Sequence, residues 1–176
     1  MKRLLFILFL SFSLSQDYSL SFDGVDDYIK INYPNSSYPD AFNDFDNEIS
    51  IQFWINFSEH CYSHQKGCLL VDKGEHYVDA NREVAFSFYT HHDADQLTFL
   101  VKTENGDIGA DLFNYSSYVD LDKWYLFTGV YDGSSVKLYI DGELMAESPH
   151  TGTIVTLSEP VYIANSLYTN TTKHFN

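Results

Sequence analysis

The segment DKWYLFTGVYDGSSVKLYIDGELMAE, residues 122–147, decides the fold class of this chain. It predicts a Trp-led strand over residues 124–131, a tight turn at Asp132-Gly133 and a returning amphipathic strand over residues 136–140. A second tight turn follows at Asp141-Gly142. Because Asx-Gly pairs supply the positive φ angles that tight hairpins require, the segment predicts antiparallel β-structure.

A second long strand is predicted upstream, in EISIQFWINFS at residues 48–58. Apolar and other residues alternate there, and successive side chains of a strand point to opposite faces. One face carries Ile49, Ile51, Phe53, Ile55 and Phe57, and the other carries Ser50, Gln52, Trp54 and Asn56. Such alternation is typical of a strand with one buried face.

Short apolar runs with the same period of two recur along the rest of the chain. They predict further strands at residues 18–22, 28–33, 68–71, 84–89, 97–101 and 161–164, with turns at Asp23-Gly24, Lys73-Gly74 and Asn105-Gly106. No segment keeps a 3.6-residue apolar period for more than a turn or two, so helices should be minor. Residues 34–47 predict a surface loop. The pattern predicts an all-β fold, an antiparallel two-sheet β-sandwich.

Residues 1–15 predict a secretory signal peptide. The basic pair Lys2-Arg3 precedes a short apolar run over residues 4–10, and small residues follow it. The run is much shorter than the roughly 18–20 residues that a membrane-spanning helix needs. Cleavage after Ser15 leaves residues 16–176 as one secreted domain with no membrane insertion.

The chain that follows the predicted signal is strongly acidic. It carries 8 basic and 25 acidic residues, a formal charge of −17. This charge repels phosphate backbones, so nucleic acid and anionic lipid are not expected partners, and it offers carboxylates to calcium. The whole sequence also contains 14 Tyr and 14 Phe residues, most of them distributed among these acids, which indicates a folded chain rather than a disordered one.

Several segments, in this order, resemble the laminin G-like branch of the concanavalin A-like jelly rolls. They are LSFDGVDDYIKI at residues 20–31, EISIQFWINF at 48–57, LLVDKG at 69–74, the quoted segment at 122–147 and VYIANS at 161–166. The hairpin pattern W-x-x-x-x-G-V-Y-D-G-x-x-x-x-L-Y-I-D-G is the most specific part, and the resemblance covers residues 17–176.

The resemblance implies a jelly roll that recognises ligands outside the cell. In this family a last strand pairs beside the first one. The sequence given stops at Asn176 before such a strand, so the resemblance also implies a domain that is C-terminally incomplete. The predicted strand at 18–22 would then have an open edge, which is an aggregation liability.

The resemblance further implies a structural calcium ion near the FDGVDD turn. Asp23 and Asp26 are the candidate ligands, Asp27 lies beside them, and Asp72 and Asp111 are weaker candidates. Calcium takes carboxylate and carbonyl oxygens as ligands. An Asp in an Asp-Gly turn also accepts an Asx hydrogen bond, so the same residues equally fit a turn that binds no metal.

Cys61 and Cys68 are the only cysteines, and they lie in HCYSHQKGC between two predicted strands. In an exported chain an even cysteine count at short spacing predicts a disulfide that closes the loop. The neighbouring His60 and His64 leave a two-His, two-Cys zinc site as the alternative. The cluster HHDAD at residues 91–95 offers a second, weaker set of metal ligands.

Four N-glycosylation sequons occur, at Asn35, Asn56, Asn114 and Asn170. In a eukaryotic source they predict surface positions of a secreted glycoprotein, whereas a bacterial source leaves them unmodified. Asn56 lies on the outward face of its predicted strand, which is consistent with modification.

No catalytic pattern is present in the sequence. Glycosidases on this fold carry a Glu-x-Asp-x-x-Glu series along one strand, and this series is absent, as are a Gly-x-Ser-x-Gly elbow and a phosphate loop. Glu83 stands alone, and Glu143 and Glu147 lie on an exposed hairpin. The chain is therefore predicted not to be an enzyme.

The sequence predicts a secreted recognition module for an extracellular glycan or protein, with calcium as an expected structural ion. The alternatives are a structural or adhesive spacer of a larger extracellular protein and a glycoside hydrolase with a dispersed site. An outward Trp54 with Tyr115, Tyr118 and Tyr125 would form a sugar-stacking platform, although such aromatics also pack inside sandwiches. The sequence does not assign the ligand-binding residues.

Overall fold

The computed structural model describes residues 19–23, 27–31, 47–61, 67–75, 83–91 and 93–164. Within these residues ten strands form: β1 Ile29–Ile31, β2 Ile49–Asn56, β3 Leu69–Glu75, β4 Glu83–Thr90, β5 Gln96–Thr103, β6 Gly106–Phe113, β7 Trp124–Tyr131, β8 Ser135–Ile140, β9 Glu143–Pro149 and β10 Val161–Ile163. A one-turn 3-10 helix, Tyr115–Ser117, lies between β6 and β7. No α-helix occurs in this part of the chain.

The strands form two antiparallel sheets. One sheet has six strands in the order β1-β10-β3-β4-β5-β6, and the other has four in the order β2-β7-β8-β9. Every neighbouring pair is antiparallel. The predicted two-sheet sandwich is therefore confirmed. Among the described strands, β1 and β2 each form an edge of their sheet.

Aromatic side chains fill the space between the sheets. Phe53 of β2 meets Phe88 of β4 edge to face, with ring centroids 5.1 Å apart. Phe88 packs on Phe99 of β5 at 4.7 Å. Gly129 of β7 lies against both of these rings, since a Cβ added there would come within 2.7 Å of each. The absence of a side chain at this position lets the two sheets approach closely.

The hairpin of β7 and β8 forms at the predicted residues, and side chains hold its turn. Asp132 Oδ1 accepts hydrogen bonds from the backbone N–H groups of Ser134, at 3.0 Å, and Ser135, at 2.9 Å. At the next turn Asp141 and Gly142 have φ angles of 51° and 83°. Two consecutive positive φ angles are the mark of a type I′ turn, which the Asp-Gly pair predicts.

The predicted alternation along β2 also appears in the structure. Ile49 and Ile55 are buried and Ile51 and Phe53 are half-buried, whereas the intervening side chains are more exposed. Trp54 is 62% exposed, so the outward orientation predicted for it is confirmed.

Two sequence-based strand and turn assignments are wrong. Residues 19–22, predicted as part of a strand, form none, and Leu20 is 69% exposed. A short alternating run becomes a strand only where a neighbouring strand accepts its hydrogen bonds, and β10 pairs with β1 instead. Lys73-Gly74 is not a turn but a β-bulge inside β3, where Gly74 adopts a φ of 125°.

Two strands were not predicted. β6 has the sequence GDIGADLF and β9 has ELMAESP. Gly, Asp, Glu and Ala are depleted in strands, so neither segment carries a strand signal of its own. Both form because a well-defined neighbour offers a full ladder: β6 pairs with β5 over eight positions and β9 pairs with β8.

Candidate ligand-binding site

The outer face of the four-stranded sheet carries two exposed tryptophans on neighbouring strands. Trp54 of β2 lies opposite Leu126, and Trp124 of β7 lies opposite Asn56. The two indoles are thus diagonal neighbours across one strand pair, within reach of the same ligand. Trp54 is 62% exposed and Trp124 is 48% exposed. We call this pair the tryptophan platform.

The tryptophan platform borders an apolar groove. The groove has a volume of about 350 Å³ and opens between the edge strand β2 and the β1–β10–β3 edge of the other sheet. Its described lining consists of Ser19, Leu20, Phe22, Ile29, Phe53, Trp54, Ile55, Asn56, Leu70, Val71, Trp124, Ile163 and Ala164. None of these side chains carries a charge, so the groove offers apolar contact together with the neutral polar groups of Ser19, Asn56 and the two indoles.

Polar side chains lie on the same outer face beyond the tryptophans. Gln52 Nε2 donates a hydrogen bond to Thr128 Oγ1 at 3.0 Å, two pairs along the ladder from Trp54 and on the same face. Further along, Lys137 binds the carboxylate of Asp132 and lies 3.7 Å from Glu147 Oε1. The hydrogen bond from Lys137, with help from the Ser134 and Ser135 donors, holds the pKa of Asp132 well below its usual value.

On the outer face of the six-stranded sheet the central strands β3, β4 and β5 carry buried side chains, whereas Lys30 on β1 and Phe113 on β6, the two edge strands, are exposed. Leu69, Val84, Tyr89 and Leu100 form a second apolar cluster there, separate from the main core. Ser87, which lies opposite Leu100, is fully buried and its hydroxyl has no hydrogen-bond partner. Among the described residues, the centre of this outer face is therefore less accessible to a ligand than the tryptophan platform.

The platform predicted from the sequence included the wrong tyrosines. Tyr115 is fully buried, with its ring centroid 6.2 Å from that of Phe57, and Tyr125 is 5% exposed. Tyr118 is 52% exposed and directly follows the 3-10 helix, so it does not belong to the β2–β7 strand pair. Trp124, which the sequence predicts only as the first residue of a strand, lies beside Trp54 instead of these tyrosines. Its register opposite Asn56 could have been estimated once β2 and β7 were known to pair.

The predicted calcium ligands are only partly described. Asp23 is exposed, and its backbone N–H donates to Asp27 Oδ2 at 3.1 Å, whereas Asp26 lies outside the described residues. That hydrogen bond is the kind an Asp-rich turn makes without a metal. Calcium takes six to eight oxygens, and no group of three potential metal ligands occurs among the described residues. Calcium binding at Asp23 and Asp26 therefore stays a prediction.

Cys61 and Cys68 form a disulfide with a Cα–Cα distance of 5.7 Å. The two thiolates that a zinc site would need are therefore not available. The imidazole of His60 packs edge-on to the ring of Tyr115 at 5.4 Å, and His64 lies outside the described residues. In the second predicted cluster, His91 Nδ1 accepts a hydrogen bond from the backbone N–H of Asp93 at 3.2 Å, which is a local turn contact.

Two of the four predicted glycosylation sites are described. Asn56 ends β2 and is half-buried on the outer face, opposite Trp124. Asn114 is exposed directly after β6 and has a φ of 55°. Asn35 and Asn170 lie outside the described residues.

The structure gives no support to a carboxylate pair on the β8–β9 hairpin. A register shift between Leu138 and Tyr139 places Glu143 opposite Ile140 and Glu147 opposite Lys137. Ile140 points into the core and Lys137 points outward, so the two glutamates lie on opposite faces. Glu147 accepts a hydrogen bond from Ser135 Oγ at 2.8 Å. The side chain of Glu83 is outside what the structure describes.

No helix within the described residues combines the length and hydropathy needed to cross a bilayer. The predicted signal peptide, residues 1–15, lies outside them.

Solved structures with similar folds come from larger extracellular and toxin proteins. Domains LG4-5 of the mouse laminin α1 chain match with a TM-score of 0.54 and 14% identity, over 74% of this chain and 33% of that one. The receptor-binding domain of botulinum neurotoxin D matches with a TM-score of 0.56 and 18% identity, over 79% of this chain and 33% of that one. This chain spans about a third of each structure, and such low identities show the fold alone. No curated protein sequence matches the chain.

A family model extends the comparison to the sequence. A laminin G model, described as the concanavalin A-like lectin/glucanases superfamily, matches residues 23–176. The match includes the hairpin of β7 and β8, the Asp23 turn and both tryptophans. Since it covers well over half of the chain, the resemblance found in the sequence is confirmed, and the protein belongs to the laminin G-type branch of the concanavalin A-like lectin/glucanases superfamily.

Proposed function

We propose that this protein is a secreted, non-catalytic recognition module that binds an extracellular glycan on the tryptophan platform. The observation that carries the proposal is the exposure of Trp54 and Trp124 side by side on one open sheet face. Large exposed aromatic surface is unfavourable in water, and it is kept where a partner covers it. Laminin G-like domains are commonly binding domains of extracellular proteins, which is consistent with this role.

The chemistry of the tryptophan platform favours a sugar. An indole presents a flat apolar face with an N–H at its edge, and a pyranose ring presents a C–H face edged by hydroxyls. Covering the exposed half of each indole would contribute about 1 kcal/mol per ring. Two rings supply about 2 kcal/mol, whereas millimolar affinity requires about 4 kcal/mol. The polar groups of Gln52 and Thr128 beside the platform are the source of the remaining hydrogen bonds.

The composition of the site supports a binding role rather than catalysis. Glycoside hydrolysis normally needs two carboxyl groups flanking the scissile bond. No side chain of the platform or of the described groove lining is Asp, Glu or His. The superfamily name covers both lectins and glucanases, so the proposal rests on this absence of acids at the described site and not on the family.

Secretion and the partner class form part of the same proposal. The Cys61–Cys68 disulfide persists in oxidising compartments, in agreement with the predicted signal peptide. The strongly acidic surface disfavours nucleic acid and anionic lipid. The rival proposal, a structural or adhesive spacer, is supported by the buried apolar cluster on the central strands of the six-stranded sheet's outer face.

The chain contains only two tryptophans, and both belong to the platform. Intrinsic tryptophan fluorescence therefore reports on this surface alone. The full chain would be produced in a bacterial periplasm, where the disulfide forms and the sequons stay unmodified. A glycan array, whose dense display compensates for weak single-site affinity, would identify the bound sugars. Titration of those sugars should then shift the emission to the blue and protect it from acrylamide quenching.

Trp54→Ala should abolish array binding without unfolding the protein. Phe113→Ala is the matched control, because Phe113 is 61% exposed but lies on β6, in the other sheet. Equal array signals from the two variants would refute the tryptophan platform as the site. A wild-type protein that binds no glycan, but captures an extracellular protein with unchanged tryptophan emission, would favour the spacer or adhesive alternative.

A further inference from the structure

The sequon Asn56-Phe57-Ser58 ends the strand that carries Trp54. We infer that an N-glycan on Asn56 folds back over the tryptophan platform, so that glycosylation of Asn56 controls access of an outside ligand. The gating of a ligand rests on the proposed function, whereas the covering of the indoles by the attached glycan does not.

The strand register places the acceptor directly beside both indoles. Asn56 lies opposite Trp124 in the β2–β7 pair. Residues directly opposite in an antiparallel pair have Cβ atoms about 4.5–5.5 Å apart. Trp54 lies two residues before Asn56 on the same strand and therefore on the same face. A sugar bonded to Asn56 Nδ2 thus begins opposite one indole and two residues along the same face from the other.

The local structure keeps that sugar close to the sheet. Asn56 is half-buried and has only two side-chain torsions before the glycosidic nitrogen. Phe57, the next residue, is fully buried and fixes the end of the strand in the core. Ser58, whose hydroxyl completes the sequon, is exposed. The first sugar therefore has little freedom to move away from the indole faces.

Tethering makes even a weak stacking contact effective. A group held by a short linker has an effective concentration of the order of millimolar. A platform with a millimolar affinity for sugar is then covered by its own glycan for much of the time. The apparent dissociation constant for an outside glycan rises in inverse proportion to the uncovered fraction, by about twofold when half of the molecules are covered and about tenfold when nine-tenths are.

Asn114 provides a natural comparison within the same chain. It is exposed and follows β6, which belongs to the other sheet, and the aromatic residues on either side of it are Phe113 and the buried Tyr115 rather than a tryptophan. A glycan at Asn114 should leave the tryptophan signal unchanged.

The test uses the full chain secreted from a eukaryotic host, with site occupancy measured by mass spectrometry. Ser58→Ala removes the sequon while keeping the Asn56 side chain, and Asn114→Gln removes a glycan from the other sheet. The inference predicts that Asn56 is occupied and that the Ser58→Ala protein shows red-shifted emission and faster acrylamide quenching. Asn114→Gln should match the wild-type protein. Trimming to a single N-acetylglucosamine should retain most of the protection, because the first sugar makes the contact.

Four results would decide the inference. An unoccupied Asn56, or occupied protein with the quenching of Ser58→Ala, would overturn it. A quenching difference together with two- to tenfold tighter array binding by Ser58→Ala would support both the covering and the gating. A quenching difference with no array binding by any variant would support the covering glycan and refute the proposed function.

Discussion

Gly129→Ala tests whether the two sheets pack as closely as the structure shows. An added Cβ would lie 2.5 Å from Phe99 Cγ and 2.7 Å from Phe88 Cε2. Carbon atoms in contact normally sit about 3.5–4.0 Å apart, so the overlap is about 1 Å. Both rings are fully buried, and Phe88 is also held by the edge of Phe53 at 5.1 Å, so neither ring can move aside freely.

The expected loss of stability follows from two opposing terms. Inserting a methyl group into a filled core costs about 1–3 kcal/mol, and this site lies at the upper end because the contact is with rings on the facing sheet. Replacing glycine by alanine also lowers the conformational entropy of the unfolded chain, which stabilises the folded protein by about 0.4–1 kcal/mol. We expect a net loss of about 2 kcal/mol, which corresponds to a melting temperature lower by about 4–8 °C.

Urea unfolding monitored by tryptophan fluorescence would measure the change. Phe99→Leu provides the control because it opens space in front of residue 129. The double variant Gly129→Ala, Phe99→Leu should lose less stability than the sum of the two single variants, since the residues are in contact. A Gly129→Ala protein with the wild-type midpoint and slope, or a double variant with strictly additive losses, would show that the sheets are not in this close contact.

Four further predictions concern charge, covalent structure, calcium and processing. Asp132→Asn should lower the free energy of unfolding at pH 7, and the difference from wild type should shrink as the pH falls below about 4. Hydrogen bonds in the folded protein lower the pKa of Asp132, so its carboxylate stabilises the fold at pH values above the pKa of about 3.9 in the unfolded chain, and this stabilisation is lost as the pH falls below that value. A difference in the free energy of unfolding that does not depend on pH would contradict this. Replacing Cys61 and Cys68 by Ser should cost about 2.5 kcal/mol, measured by denaturant titration, because the disulfide closes a short loop. If calcium binds, millimolar calcium should raise the melting temperature and Asp23→Ala should remove the rise; identical melts in calcium and chelator would refute the site. Mass spectrometry of the secreted protein should find Gln16 at the N-terminus, and a retained Met1 would refute the signal peptide.

The long strands were predictable because their information is local. β7 has the predicted bounds, and β2 differs from its prediction by one residue at the start and two at the end. Alternation with period two is enforced by the pleat of any strand, so it can be read without knowing the partner strand. The type I′ turn at Asp141-Gly142 is equally local, because Gly and Asp tolerate positive φ where most residues do not.

Strands with weak signals of their own were not predictable. β6 and β9 are strands because β5 and β8 offer hydrogen-bonding edges to them. The alternating run at residues 19–22 has a better pattern than either but lacks such an edge in the described part of the chain. Backbone hydrogen bonding along a whole strand pair outweighs the strand preference of single residues, which differs by only about 1 kcal/mol between residue types.

The sequence by itself determined the fold class, the family, the cysteine pair and the outward orientation of Trp54. Only the tertiary structure decided which other aromatic side chain stands beside it. Tyr115 looked available in the sequence but packs against Phe57 in the core, whereas Trp124 lies opposite Asn56 at the surface. The physical reason is that the pleat assigns a side chain to one of two faces, but burial depends on what covers that face. The covering residues are distant in sequence, so the candidate site appears only when the two sheets are in place.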